Sequence, residues 1–331
     1  MDTALWNNLF SSAEKILAAA PWEEWPEDLI FAIQPRADGA VYFVSAMGMI
    51  GQHRAIAFYK GGGGISAFRR VREELPNERL RIEALLLAEQ FQIAFETRKN
   101  VLPTDMAVLK ACGKRYRGKW PVFHSHRPAR MPWTASEEEA RELEILARRS
   151  LEVYERIARG EELLTHLDEE EFFLIDSEGK DSVCRPDELP APRHILQFGL
   201  PKDDLDSLKR VDLEVEVEMA LLVAPIKHPV EGEPPYLPFF VAMLDANSGM
   251  AMGFEMLDTS EGLDSAFIRL PETITEMLKQ VGVVPRAIRA RHPSLLPFLD
   301  AYCQTYEIEL IPVEKFDHAD FFIEMMKKSR F

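Results

Sequence analysis

The polar and apolar positions are most regular near the middle of the chain. From Leu213 the residues read Leu-Glu-Val-Glu-Val-Glu-Met, an alternation that predicts a half-buried strand running on toward Val223. A proline-rich loop from Pro225 to Pro238 follows, then a strand over Phe239 to Leu244, a turn at Asp245-Ala246-Asn247-Ser248-Gly249 and a strand over Met250 to Leu257. A helical stretch ends at Gly282, with Ile274, Met277, Leu278 and Val281 on its buried face and Pro271 in its first turn or at a kink. Beyond it the pattern predicts a strand at Ala287 to Ala290 and a helix aligning Leu295, Leu299, Tyr302 and Tyr306. A strand at Ile308 to Ile311 and a helix from about His318 complete the string. Three antiparallel strands followed by alternating helices and strands favour right-handed parallel crossovers.

The first half reads similarly with more interruptions. Leu5, Leu9, Phe10, Ala13, Ile16, Leu17 and Ala20 have helical spacing, with Thr3 as a cap and Pro21 as a stop. Trp22 and Trp25 suit the edge of a core. Strand-like runs at Leu29 to Gln34, Val41 to Met47 and Arg54 to Tyr59 are joined by an Asp38-Gly39 turn and by Gly48 to Gly51, the layout of an antiparallel meander. Helices are predicted from Ile65 to about Glu74, from Leu80 to about Glu89 and from Thr104 to Cys112, with strands near Phe91 to Phe95 and at Val122-Phe123. The capping box Ser136-x-x-Glu139 opens a helix from Glu137 to Ala158, whose buried face carries Leu143, Leu146, Ala147, Tyr154 and Ile157. An acidic, proline-containing stretch then holds one short strand, Phe172 to Ile175. The expected division is a first domain over 1–160, a connector over 161–210 and a second domain over 211–331.

The two halves share a faint text. Tyr42-Phe43-Val44-Ser45-Ala46-Met47, then Gly64 and Ala67-Phe68, is echoed by Phe239-Phe240-Val241-Ala242-Met243, then Gly262 and Ala266-Phe267. The spacing is 25 residues from Phe43 to Phe68 and 27 from Phe240 to Phe267, so a tandem duplication needs only small changes at turns.

Length and composition add limits. A chain of 331 residues holds two cores more readily than one. No apolar run reaches a membrane span and no signal-peptide layout is present, which gives the expectation of a cytoplasmic protein. Cys112, Cys184 and Cys303 are far apart and lack zinc or disulfide spacing. The net charge of −16 opposes non-specific nucleic-acid binding. Yet Arg98 to Arg130 carries nine Lys or Arg against one acid, Asp105. Lys114, Arg115, Arg117, Lys119 and Arg127 therefore form a candidate basic contact face, with His124 and His126 on one side of a strand beside it. A solvated surface is the commoner origin of such a charge run. No carboxylate or cysteine stands at ligand spacing beside the histidines, so no metal and no cofactor are expected. The run Gly61-Gly62-Gly63-Gly64 between a strand and a helix has the layout of a phosphate cradle, and also that of a strained strand-to-helix turn.

The text from Phe240-Val241-Ala242-Met243-Leu244-Asp245 to Ser248-Gly249, followed by Gly282-x-x-Pro285-x-x-Ile288, resembles the ribonuclease H-like fold of integrase and transposase cores over residues 211 to 328. In such enzymes carboxylates on the first strand, at the end of the fourth strand and on a late helix hold two metal ions. Here the fourth strand ends Arg289-Ala290-Arg291-His292, with cations where the resemblance implies an acid. The whole chain also resembles a bacterial family of paired domains of unknown function. The residues that carry this are Pro21-Trp22-Glu23, Ala46-Met47-Gly48, Tyr59-x-Gly61 and Arg117-Gly118-Lys119-Trp120-Pro121-Val122-Phe123 through Pro132-Trp133. The expectation is a mixed α/β protein of two degenerate ribonuclease H-like domains, non-catalytic, meeting a protein or nucleic-acid partner at its basic face. The rival is a metal-dependent nuclease or phosphatase using Glu216, Glu218, Asp245, Asp320 or Glu324. Asp245 has a plainer reading as the residue that caps its own turn.

Overall fold

A computed structural model describes residues 1–37, 39–49, 51, 53–72, 78–165, 167–168, 170–189, 199, 205–221, 234–291 and 296–328. Of the positions named above, Asp38, Glu74, Val223, His292, Leu295 and residues 225–233 lie outside that set. The chain is mixed α/β and divides into two compact units, Met1–Pro192 and Arg193–Phe331.

The first unit opens on α1 (Thr3–Ala19), whose cap is Asp2 rather than Thr3: its carboxylate accepts the Leu5 N–H at 3.1 Å. The meander is β1 (Phe31–Ile33), β2 (Tyr42–Met47) and β3 (Ala55–Lys60). Helices α2 (Gly61–Arg72) and α3 (Glu78–Leu87) lead to β4 (Gln90–Glu96), and α4 (Pro103–Ala111) leads to β5 (Trp120–His126) and β6 (Trp133–Thr134). The capping box at Ser136 forms as expected and starts α5 (Glu137–Ala158). Then β7 (Phe172–Ile175) and β8 (Asp181–Cys184) follow, completing one sheet in the order β6-β5-β4-β3-β2-β1-β7-β8. Residues expected in a connector thus supply two strands of this sheet.

Alternation along these strands produces two cores. One face meets α1 and α5 through Trp6, Phe10, Tyr42, Phe58, Phe123 and Leu143. The other carries Phe43, Tyr59 and Phe172 against Ile65 and Phe68 of α2. After the meander the chain does not cross over at once. The α2–α3 pair returns it to the same edge, so β4 joins β3 antiparallel, and the parallel partner of β1 is β7.

The four glycines form the first turn of α2 instead of a loop before it. Gly61 has φ +61°, and its N–H donates to the Val41 carbonyl at 2.8 Å. A Cβ at Gly64 would lie 2.8 Å from the Tyr59 backbone carbonyl carbon. A Cβ at Gly62 would lie 3.0 Å from the Pro186 carbonyl oxygen, so turn geometry and close packing account for three of the four.

The second unit follows its predicted string. It contains β9 (Lys209–Leu221), β10 (Phe239–Asp245), β11 (Ala251–Leu257), α6 (Leu263–Val281), β12 (Val283–Ala290), α7 (Leu296–Tyr306), β13 (Glu309–Pro312) and α8 (Ala319–Lys328). The sheet order is β11-β10-β9-β12-β13, with β9, β10 and β11 antiparallel, β12 parallel to β9 and β13 parallel to β12. Pro271 stands inside α6 rather than in its first turn.

The alternation in β9 has a different meaning from the expected one. Val215, Val217 and Met219 are buried, but Glu216 and Glu218 are 0% and 1% exposed. Both faces of the strand are covered. Gly253 of β11 meets Met277 of α6, which assigns α6 to the valine face, while Ala220, Phe240 and Ala242 on the glutamate face pack against Phe316, Ala319 and Ile323 at and in α8. Two buried carboxylates need compensation by hydrogen bonds and opposite charge.

Candidate functional site

The start of α8 supplies part of that compensation. Glu216 accepts the N–H of Asp317 at 2.9 Å through Oε1, and those of His318 and Ala319 at 3.1 and 2.8 Å through Oε2. These donors lack helical partners and point along the positive end of the helix dipole. Arg289, paired in register with Glu216 on the neighbouring strand, places Nη1 3.6 Å from Glu216 Oε1 and 3.0 Å from Asp317 Oδ2.

Arg291 supplies the rest. Immediately past the end of β12 its guanidinium contacts Glu218 Oε2 and forms a two-pronged pair with Asp320, at 2.9 Å through Nη1 and 2.8 Å through Nη2. Its guanidinium carbon lies 4.8 Å from the centroid of the Phe316 ring. The planar fork of arginine suits two carboxylates in a dry setting. Among the described residues, no group of three or more His, Cys, Asp or Glu side chains is arranged to hold a metal.

The structure therefore brings Glu216, Glu218 and Asp320 together around two arginines. Asp245 is occupied elsewhere: its Oδ1 accepts the Asn247 and Ser248 N–H groups, both at 2.8 Å. The bond from Ser248 leads the effects that hold this carboxyl below its usual range, and the turn-capping reading describes the geometry. Glu324 lies exposed on α8.

In the first unit the two histidines of β5 have unequal surroundings. His124 Nε2 is 3.0 Å from Asp105 Oδ2. That carboxylate also accepts the Leu102 N–H at 3.0 Å and the Thr134 hydroxyl at 2.6 Å. Nearby, His53 is 3.4 Å from Glu96 through Nδ1 and 3.5 Å from Gln92 through Nε2, and Gln92 donates to Gln90 at 3.2 Å. Sequence reasoning missed Asp105 as the partner of His124, and Gln92, which stands opposite His124 on β4 with His53 beside it. Only Asp105 had a usable signal, as the third residue of a helix opened by Leu102-Pro103.

The buried Nε2 of His126 has no hydrogen-bond partner among the described residues. Burial pushes its pKa down to about 3, and His124 and His53 push in the same direction. Its folded value is thus below its unfolded one, so the unfolded chain binds the proton more tightly between pH about 6.5 and about 3. Stability present above that window should fall on acidification through it, by at most ~1.4 kcal/mol per pH unit from this group. Urea titrations of wild type and His126→Gln at pH 7 and pH 5 check this, and the variant should show the smaller loss.

The basic stretch surrounds a recess of about 790 Å³ between the end of α4 and the start of β5. Its lining includes Lys110, Lys114, Arg115, Arg117, Tyr116 and Trp120. Lys114 and the Tyr116 hydroxyl are tied to Glu14, at 2.9 and 2.7 Å, and Arg98 covers Trp120 at 5.1 Å. Among the described residues, Lys110, Arg115, Arg117 and Lys119 have no ion pair. Arg127 pairs with Glu139 at 3.0 Å, and neither it nor the two histidines belongs to the lining.

The fold and these clusters define a mixed α/β protein of two compact units, each built on one mixed sheet. The chain belongs to the family described as domain of unknown function DUF7309, matched over residues 6–174. Residues 203–327 match a second such family, domain of unknown function DUF6930. No curated protein matches the chain. No helix among the described residues is long and apolar enough to cross a membrane.

Proposed function

We propose that this is a non-catalytic anion-binding protein, with a ribonuclease H-like second unit whose acidic cluster is closed by arginine and a basic contact face on the first unit. The observation that carries the proposal is Arg291, which joins Glu218 to Asp320 from the end of β12. A guanidinium there occupies the carboxylate oxygens that a metal ion would need. The order β11-β10-β9-β12-β13 with two parallel crossovers supports the fold assignment. Duplication is supported by β1, which lies between antiparallel β2 and parallel β7 as β9 lies between antiparallel β10 and parallel β12.

The test is incubation with Mn²⁺ or Mg²⁺ and labelled single- and double-stranded RNA and DNA. No cleavage above a protein-free control is expected. Metal-dependent cleavage that disappears in Glu218→Gln would overturn the proposal.

A further inference from the structure

We infer that the recess between α4 and β5 binds a nucleoside polyphosphate. This rests on the reading of the first unit as an anion-binding surface and names the ligand class. The first consideration is size: about 790 Å³ falls within the range of small-molecule sites. The second is charge. Three of its four lining cations, Lys110, Arg115 and Arg117, have no acidic partner among the described residues, and no acid lines the recess. Elsewhere on the unit Arg54, Lys60, Arg69, Arg72, Arg141 and Arg185 have carboxylate partners, and Lys15 and Arg148, which have no ion pair among the described residues, line a recess that also holds Glu144, Glu152 and Glu155. The recess at α4 and β5 differs in gathering three such cations with no acid in its lining. In a chain of net charge −16, three such cations around one opening repel each other until an anion enters.

The third consideration is the pair of aromatic side chains in the same lining, Tyr116 and Trp120, with ring centroids 6.1 Å apart and planes at 68°. Glu14 holds the first and Arg98 covers the second, so two apolar walls are fixed beside the cations. Phosphates on the guanidinium groups and a base against the rings satisfy both parts of the lining. A long nucleic-acid strand fits less well, because the neighbouring Lys114 and Arg127 are already paired with Glu14 and Glu139. A compact polyanion needs no longer tract.

The experiment is calorimetric titration of the full chain at low salt with ATP, inorganic tripolyphosphate, adenosine and a single-stranded RNA oligomer. Wild type and Arg115→Glu/Arg117→Glu are compared, with thermal melts to confirm that the variant is folded. Both residues are exposed and make no ion pair, so their replacement should leave the fold intact. ATP should bind one site more tightly than tripolyphosphate, weaken with salt, and lose about tenfold or more in affinity in the variant. Equal affinity for ATP and tripolyphosphate would overturn the nucleoside part of the inference. Binding of RNA without ATP would overturn the inference and leave the anion-binding reading standing. No binding of any of the four would remove both.

Discussion

Arg291→Met is expected to lower the unfolding free energy by about 3–5 kcal/mol, the usual cost of removing one partner from a buried ion pair. Glu218, 1% exposed, would be left without its guanidinium in a site closed by Phe316 and α8, and would pay either for a buried charge or for taking up a proton. Asp320, at 23% side-chain exposure, can turn to water and contributes less to the loss. Adding Glu218→Leu to Arg291→Met should recover most of the deficit, because well-packed apolar replacements of a buried pair cost little. Urea denaturation of wild type, both single variants and the double variant measures the coupling. Additive losses would show that the two side chains are not a unit.

Glu216→Ala is the second large effect, about 2–4 kcal/mol. This carboxylate takes three N–H groups at the start of α8, and alanine would remove the acceptor of all three, with the buried Ala319 N–H the hardest to satisfy otherwise. Glu216→Gln preserves the volume and one oxygen acceptor, and should lose about half as much. Hydrogen exchange supplies the local readout. The amides of α8 should lose protection before those of β10, and uniform loss across the sheet would argue against a capping role.

The second unit was legible because its elements are long and end on clear signals. The alternation of β9, the turn at Asp245 to Gly249, Gly282 after α6 and the aligned Leu299, Tyr302 and Tyr306 of α7 all correspond to observed features. What alternation cannot show is whether the polar face is wet. The glutamates of β9 read as a solvent face, and their burial depends on α8, about a hundred residues later. Likewise Arg289 and Arg291 were visible as cations at a strand end, but not as the partners of Glu216, Glu218 and Asp320.

In the first unit, β8 escaped because it has four residues, three of them exposed, and hence no apolar period. Parallel pairing of β1 with β7 was hidden for a related reason. Strands of three and four residues, buried throughout, specify burial but no direction. The first turn of α2 was hidden because glycine is a poor helix former and gives no helical signal, while at Gly64 the close approach of Tyr59 leaves no room for a Cβ.

Arg291 holding the acidic cluster closed is the central claim of the proposed function. Calorimetric titration of the intact protein with Mn²⁺ at neutral pH addresses this most directly. Absence of saturable heat at millimolar metal is the predicted result. A saturable isotherm that vanishes in Glu218→Gln would contradict it, since it would mean that the carboxylates release Arg291 and receive a metal ion instead.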